Sequence, residues 1–381
     1  MTLQRLQLGF IGGSLQSAVG TTHKIACQMD SRWELVSACF SIDSESNSST
    51  AEAWGVSSDR LYDSWNELLI AERGVLDAIV VLTPTPSHAE IVVLALELGF
   101  AVICEKAMAV SSKEAKQISD AVKKNKGFLA VTYNYTGYPM IRELQSLIKR
   151  GELGVINQIH IEMPQEGFLR VGKDGEKTVP QAWRLHDDSV PTLSLDLGVH
   201  LHHMIDFLCG QKPIELVAVN NCFGHFDGVV DNTMCIARYT GNLDCQIWFG
   251  KTALGKTNGL RVRIYGEAGS AEWVQMNPEI LELNDAKGRK VIIERSSVDV
   301  KVTDQLRYNR FKAGHPAGFL EAFANYYYDV ADSLIEFKAN GKHTVPWVIG
   351  ADQAYEGLLM LEAIADSVEY KSWVKVAVVT R

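Results

Sequence analysis

The sequence predicts a two-domain α/β protein: a doubly wound parallel sheet followed by a second α/β domain with a mainly antiparallel sheet. Three observations carry this. The chain has 381 residues, too many for one compact core and suited to two. Its first part, to about residue 135, alternates short continuous apolar runs with helix-like segments, as strands buried on both faces do. After Gly151 the runs alternate polar with apolar residues and few helices separate them, as in an antiparallel sheet with one wet face.

The elements follow in order. Residues 6–12 and 33–40 read as strands with a helical stretch between them. The continuous apolar run 76–82 is a third strand, followed by a periodic helix over 87–98. Strands at 101–104 and 128–133 flank a helix over 111–124. From 156 to 294 the expected strands are 156–163, 214–223, 232–239, 243–249, 260–265, 271–274, 280–283 and 291–294. Arg261-Val262-Arg263-Ile264-Tyr265 shows the alternation most clearly. Two helices, 316–340 and 348–369, close the chain, with Pro316 suited to a helix start. The boundary falls near 135–150, giving a dinucleotide-binding domain over 1–135 and a second domain over 136–381 on which, or on the hinge, the last helices pack.

Composition narrows the function. Hydrophobic residues make up 46% and charged residues 22%, ordinary for a globular protein. The net charge of -9 repels phosphate backbones and anionic membranes, so neither nucleic acid nor a membrane surface is an expected partner. The seven cysteines form no CxxC pair and several sit in apolar runs, as buried thiols in a reducing compartment do. The opening Met-Thr-Leu-Gln-Arg-Leu runs straight into a strand without a basic start and long apolar segment, so a cytoplasmic protein is expected.

The first strand runs into Gly12-Gly13-Ser14-Leu15-Gln16-Ser17-Ala18-Val19-Gly20. A strand, a turn of small residues and a helix N-terminus make an anion site fit for a pyrophosphate. The GxGxxG spacing is degraded to Gly12, Ser14 and Ser17, with Gln16 in the same turn, and a tight turn of an unrelated doubly wound fold is the lesser alternative. At the end of the second strand Asp43 stands where an acidic residue would hold a ribose 2′-hydroxyl; a helix cap is the alternative reading. No Arg or Lys follows to welcome a 2′-phosphate, which favours NAD over NADP. The loop Thr83-Pro84-Thr85-Pro86-Ser87-His88 lies at a strand's carboxyl end, where such sheets bind ligands, and Ser87 can cap the next helix. Asn134 and Tyr135 follow the fifth strand at the same end.

Taken together these stretches resemble the glucose–fructose oxidoreductase / inositol dehydrogenase / rhizopine catabolism (Gfo/Idh/MocA) family. The resemblance rests on Gly12-Gly13-Ser14, on Thr83 to His88, on Cys104-Glu105-Lys106-Ala107 where the family usually has Glu-Lys-Pro, and on Asp196-Leu197-Gly198-Val199-His200. The tract Gly314 to Phe323 resembles a segment of one branch. It implies a Rossmann domain, a second domain with a large open antiparallel sheet, a nicotinamide cofactor and usually a carbohydrate-type substrate. Homodimers or homotetramers built through the open sheet are also implied.

The chemistry expected follows. Hydride transfer from a secondary alcohol needs a base for the hydroxyl proton. Lys106, just past a strand end, is placed to hydrogen-bond the reacting oxygen, with Glu105 supporting the nicotinamide or the lysine. Asp196 and His200, spaced i, i+4, share a face if the segment is helical. The resemblance makes His200 the acid/base candidate and Asp196 a partner of the substrate or of the lysine. His203 shares that face with His200 and is expected, with Tyr135, among the substrate-binding residues; His200, His203 and Asp196 could also bind a metal, although nothing in the resemblance calls for one. The polar segment 164–191 reads as a substrate loop, with Trp183 to pack on a sugar face and Arg184 to bind hydroxyls or a carboxylate. The leading reading is an NAD(P)-dependent dehydrogenase of a sugar, cyclitol or polyol. A glycoside hydrolase using transient oxidation and a non-catalytic cofactor-binding sensor are the alternatives.

Overall fold

The structure, a computed structural model, describes residues 5–17 and 19–379. The chain forms two compact units, Met1–Gly137 with Phe319–Tyr355, and Tyr138–Gly318 with Glu356–Arg381. Everything after residue 135 was expected in the second domain. The helix beginning at Phe319 belongs to the first unit instead.

In the first unit, strands β1 (Leu6–Gly12), β2 (Trp33–Cys39), β3 (Ala78–Leu82), β4 (Val102–Cys104) and β5 (Leu129–Val131) form one parallel sheet of order β2-β1-β3-β4-β5. Every residue of β3, β4 and β5 is buried, which explains their unbroken apolar runs. Between the strands run α1 (Gly20–Met29), α2 (Ser44–Trp54), α3 (Trp65–Ala71), α4 (His88–Glu97) and α5 (Ser112–Asn125). Ser111 accepts from the Glu114 N–H and caps α5. The long C-terminal helix, Phe319–Asn340, packs Phe323, Tyr326, Tyr327, Val330 and Leu334 into one core with Leu8, Phe10, Phe40, Val80 and Ile103. Burying each such side chain stabilises the fold by about 2 kcal/mol, so this helix is integral to the parallel sheet.

The second unit opens with α6 (Pro139–Lys149), which the sequence reading did not foresee. Its sheet has nine strands: β6 (Ile156–Pro164), β7 (Pro213–Asn221), β8 (Asn232–Tyr239), β9 (Leu243–Gly250), β10 (Arg261–Gly266), β11 (Gly269–Val274), β12 (Ile280–Asp285), β13 (Lys290–Glu294) and β14 (Val374–Lys375). Their order is β13-β12-β11-β10-β6-β9-β8-β7-β14, antiparallel except where β6 runs parallel to β9. Along β8, buried Cys235, Ala237 and Tyr239 alternate with outward Met234, Ile236 and Arg238. The outward face is less wet than the alternation implies: Val219, Met234 and Ile236 stand 57%, 49% and 52% exposed. Helix α7 (Val199–Cys209) follows a π-helical turn, Ser194–Gly198. With Phe319–Asn340 as α8, Ala351–Tyr370 is α9. No helix among the described residues is long and apolar enough to cross a membrane.

Candidate active site

The turn after β1 is shaped by three glycines. Gly12 and Gly13 have φ of 81° and 79°, a region that favours glycine. A Cβ on Gly12 would lie 2.8 Å from the Thr83 nitrogen, and one on Gly20 only 2.0 Å from the Gly13 oxygen. Gly20 starts α1 and packs against the Gly13 backbone too closely for any side chain. Ser17 Oγ instead accepts from the Val19 and Gly20 N–H groups at the helix start. Ser14 Oγ donates to Gln16 Oε1, which also accepts from Ser46 Oγ of α2 at 2.7 Å. Strand end, glycine cradle and helix N-terminus fit a dinucleotide pyrophosphate, because Gly12 and Gly13 bring no side chain of their own to the turn.

Asp43 lies beyond β2, immediately before α2, which it caps by accepting from the Ser46 N–H at 2.8 Å. At the β3 end, Ser87 stands at the N-cap position of α4, but its hydroxyl donates to Thr83 Oγ1 and the Pro84 carbonyl rather than accepting from the helix. His88 is buried between two carbonyls: Nε2 is 2.8 Å from the Thr83 oxygen and Nδ1 2.9 Å from the Ala107 oxygen. Burial pushes its pKa down against the pull of those carbonyls. His88 thus ties the Thr83–Pro84 loop to the turn that carries Lys106. The Lys106–Ala107 peptide is cis, at the place where the family pattern has Lys-Pro.

Glu105 follows β4, and its carboxylate is 3.0 Å from His23 Nε2. Past β5, Asn134 is buried and its Nδ2 has no hydrogen-bond partner among the described residues, an orphan donor suited to a ligand. Tyr135 is buried with its ring 6.1 Å from that of Phe319. Gly12, Thr83, Glu105–Lys106 and Asn134 thus follow the carboxyl ends of adjacent strands, where parallel sheets bind ligands.

In the second unit, Asp196 sits on the π-helical turn and His200 on the first turn of α7. The i, i+4 pair therefore spans a change of helix type, a local irregularity common at functional positions. Asp196 Oδ2 accepts from Arg184 Nη1 and from Lys251 Nζ, each at 2.6 Å. The Arg184 guanidinium lies 4.5 Å over the Trp183 ring, so Trp183 gives one face to its neighbour. Lys251 Nζ is 5.0 Å over the Phe168 ring. Lys251 was not anticipated from the sequence; a cation straight after the apolar β9 was the available signal. His202 and His203 are core imidazoles: burial pushes their pKa values down to about 4 and about 3. His203 packs 6.1 Å from Phe207. No group of three or more His, Cys, Asp or Glu able to hold a metal occurs among the described residues. All seven cysteines are free thiols, with Cys222 exposed and Cys209 half-buried.

Comparison with known proteins agrees with this fold. A family model described as oxidoreductase family, NAD-binding Rossmann fold, matches residues 6–133, and a Gfo/Idh/MocA C-terminal domain model matches residues 141–272. An uncharacterized oxidoreductase, YfiI, of Bacillus subtilis is 28% identical over 86% of this chain and 85% of its own. A levoglucosan dehydrogenase of Pseudarthrobacter phenanthrenivorans is 24% identical over 52% of this chain, which spans 56% of that relative. A crystal structure of an oxidoreductase from Sinorhizobium meliloti superposes with a TM-score of 0.84 at 27% identity, covering 98% of this chain and 100% of that one. The chain belongs to the Gfo/Idh/MocA family of oxidoreductases, with an NAD-binding Rossmann domain at its amino-terminal end.

Proposed function

We propose that the protein is an NAD-dependent dehydrogenase of a sugar, cyclitol or related polyol. The observation that carries this is the row of chemistry-bearing residues at the carboxyl ends of β1, β3, β4 and β5, among them a glycine cradle, Lys106 and an unpartnered buried Asn134 amide. Bound nicotinamide supplies the hydride acceptor. Gly12, Gly13, Ser14, Gln16 and Ser17 would hold the pyrophosphate end and Thr83, Pro84, Glu105 and Asn134 would line the rest, while buried His88 holds the Thr83 loop in place from behind. Lys106 hydrogen-bonds the reacting hydroxyl, His200 serves as acid/base, and Asp196 holds a substrate hydroxyl. Arg184 and Lys251 both donate to Asp196 Oδ2, which leaves the carboxylate few orientations. Trp183 and Tyr135 border the substrate. The sugar reading is supported by the levoglucosan dehydrogenase among the relatives.

The test is an absorbance screen for NADH or NADPH formation across monosaccharides, anhydrosugars, inositols and sugar acids. Lys106→Ala and His200→Ala should each lower turnover at least about a hundredfold on the substrate found, while nucleotide binding largely survives. Near-normal turnover in both would overturn these roles. We also infer a homo-oligomer built on the outward face of the nine-stranded sheet. Exposed Val219, Met234 and Ile236 there flank a groove of about 510 Å³, and contiguous apolar surface of this kind is usually covered. Light scattering should show a dimer or tetramer that Met234→Glu with Ile236→Glu dissociates.

A further inference from the structure

His23, on α1, is fully buried and has both ring nitrogens engaged. Nδ1 lies 2.7 Å from the Tyr327 hydroxyl of α8, and Nε2 lies 3.0 Å from Glu105 Oε1. Phe323 and Tyr327 meet the imidazole edge-on, with centroids 5.0 and 5.7 Å away. Tyr327 is itself held, since its carbonyl accepts from Trp33 Nε1 at 2.9 Å. Glu105 is fixed at the other end, its N–H donating to the Val81 carbonyl.

The directions follow from the donor inventory. A carboxylate only accepts, so Nε2 carries the hydrogen and donates to Glu105. In the neutral imidazole Nδ1 then offers a lone pair, which accepts the Tyr327 O–H. This tautomer satisfies all three side chains. The other would set a lone pair against the carboxylate oxygen.

We propose that His23 is a positioning residue: backed by Tyr327, it holds the Glu105 carboxylate at the nicotinamide and so favours the oxidised cofactor over the reduced one. This rests on the reading that Glu105 borders the nicotinamide. That ring is cationic when oxidised and neutral when reduced, so a fixed anion attracts the oxidised form alone. A carboxylate free to swing away loses that discrimination.

The experiment compares wild type, His23→Leu, His23→Gln and Tyr327→Phe. Kd for NAD⁺ is measured by calorimetry and Kd for NADH by fluorescence. The His23 tautomer is read from two-bond ¹H–¹⁵N spectra of the cofactor-free protein. In His23→Leu, NAD⁺ affinity should fall about tenfold relative to NADH, the worth of one hydrogen bond to a charged group. His23→Gln, which keeps an N–H near the Nε2 position, should restore most of the ratio. Wild type and Tyr327→Phe should both show the Nε2–H tautomer, since the carboxylate sets it, while the loss of the Tyr327 contact should leave the NAD⁺/NADH ratio of Tyr327→Phe between those of wild type and His23→Leu. Wild type in the Nδ1–H form, or one NAD⁺/NADH ratio across all four proteins, overturns the proposal. If His23→Leu does not fold, Tyr327→Phe decides: a wild-type ratio there overturns it. Wild type binding neither cofactor overturns the nicotinamide reading and this proposal with it; tight binding of both with equal ratios overturns this proposal alone.

Discussion

Gly20→Ala puts the cofactor cradle to a direct test. The added Cβ would stand 2.0 Å from the Gly13 oxygen and 2.5 Å from its carbonyl carbon. Real Cβ atoms do not approach backbone closer than 3.0 Å, so the turn and the start of α1 must part by at least about 1 Å. No flexible side chain is there to yield, because the contact is backbone on backbone. Overpacking of this kind costs about 3 kcal/mol, equivalent to roughly 6–12 °C in Tm for a domain of this size. The same shift moves the N–H groups of the helix start away from a bound pyrophosphate. Losing one or two hydrogen bonds to a charged group weakens NADH binding by about 10- to 100-fold. Circular dichroism melting and a fluorescence titration with NADH measure both effects. Gly167→Ala is the control, since nothing lies within 4 Å of its Cβ and its φ is not positive. If Gly20→Ala melts within a degree or two of wild type and binds NADH equally well, the close-packing argument is wrong.

Other outcomes follow from the same geometry. Lys251→Met removes a cation that donates to Asp196 Oδ2 at 2.6 Å; kcat/KM should fall about 10- to 100-fold, in line with one charge-assisted hydrogen bond, and unchanged steady-state kinetics on the identified substrate would refute it. Asp43→Ala should cost about 1 kcal/mol through the lost cap on α2 and narrow the preference for NADH over NADPH severalfold; an unchanged ratio of the two dissociation constants assigns Asp43 to capping alone. His202 and His203 stay neutral in the fold down to about pH 4 and about pH 3, whereas an unfolded histidine takes a proton near 6.5. The unfolded chain therefore binds more protons below that value, so their contribution to stability is full above about pH 6.5 and is lost as pH falls. Each should remove on the order of 3 kcal/mol between pH 6.5 and 4. Urea midpoints at pH 8, 6 and 5 that do not decline would contradict it.

Much of the fold was legible because burial writes itself into local pattern. The run through Ala78–Leu82 is apolar throughout because β3 is covered on both faces. Arg261–Gly266 alternates because β10 has two unlike faces. The return of α8 to the first unit left no such trace: its periodicity says that one face is buried, not against what. The site divides in the same way. Glu105, Lys106, Asp196 and His200 announce themselves as charged or titratable residues at element ends. His23 does not, since its partners lie 82 and 304 residues away in sequence. Lys251 meets Asp196 across 55 residues. Gly20 was overlooked because the turn runs eight residues beyond Gly12 before the helix begins, longer than the usual spacing allows.

The interrupted course of the first unit bears on how the protein can be made. A fragment ending at Gly137 would carry all five parallel strands yet lack Phe323, Tyr326, Tyr327, Val330 and Leu334, five members of the core that Phe10, Phe40 and Val80 belong to. During synthesis the nucleotide-binding half cannot close until α8 has left the ribosome, after the 181 residues from Tyr138 to Gly318. That intervening unit is free to fold first, and the open apolar seam beside it is the stretch of the nascent chain most in need of a chaperone. An excised cofactor-binding half should therefore be built as 1–137 joined by a linker to 319–355, not as an amino-terminal truncation.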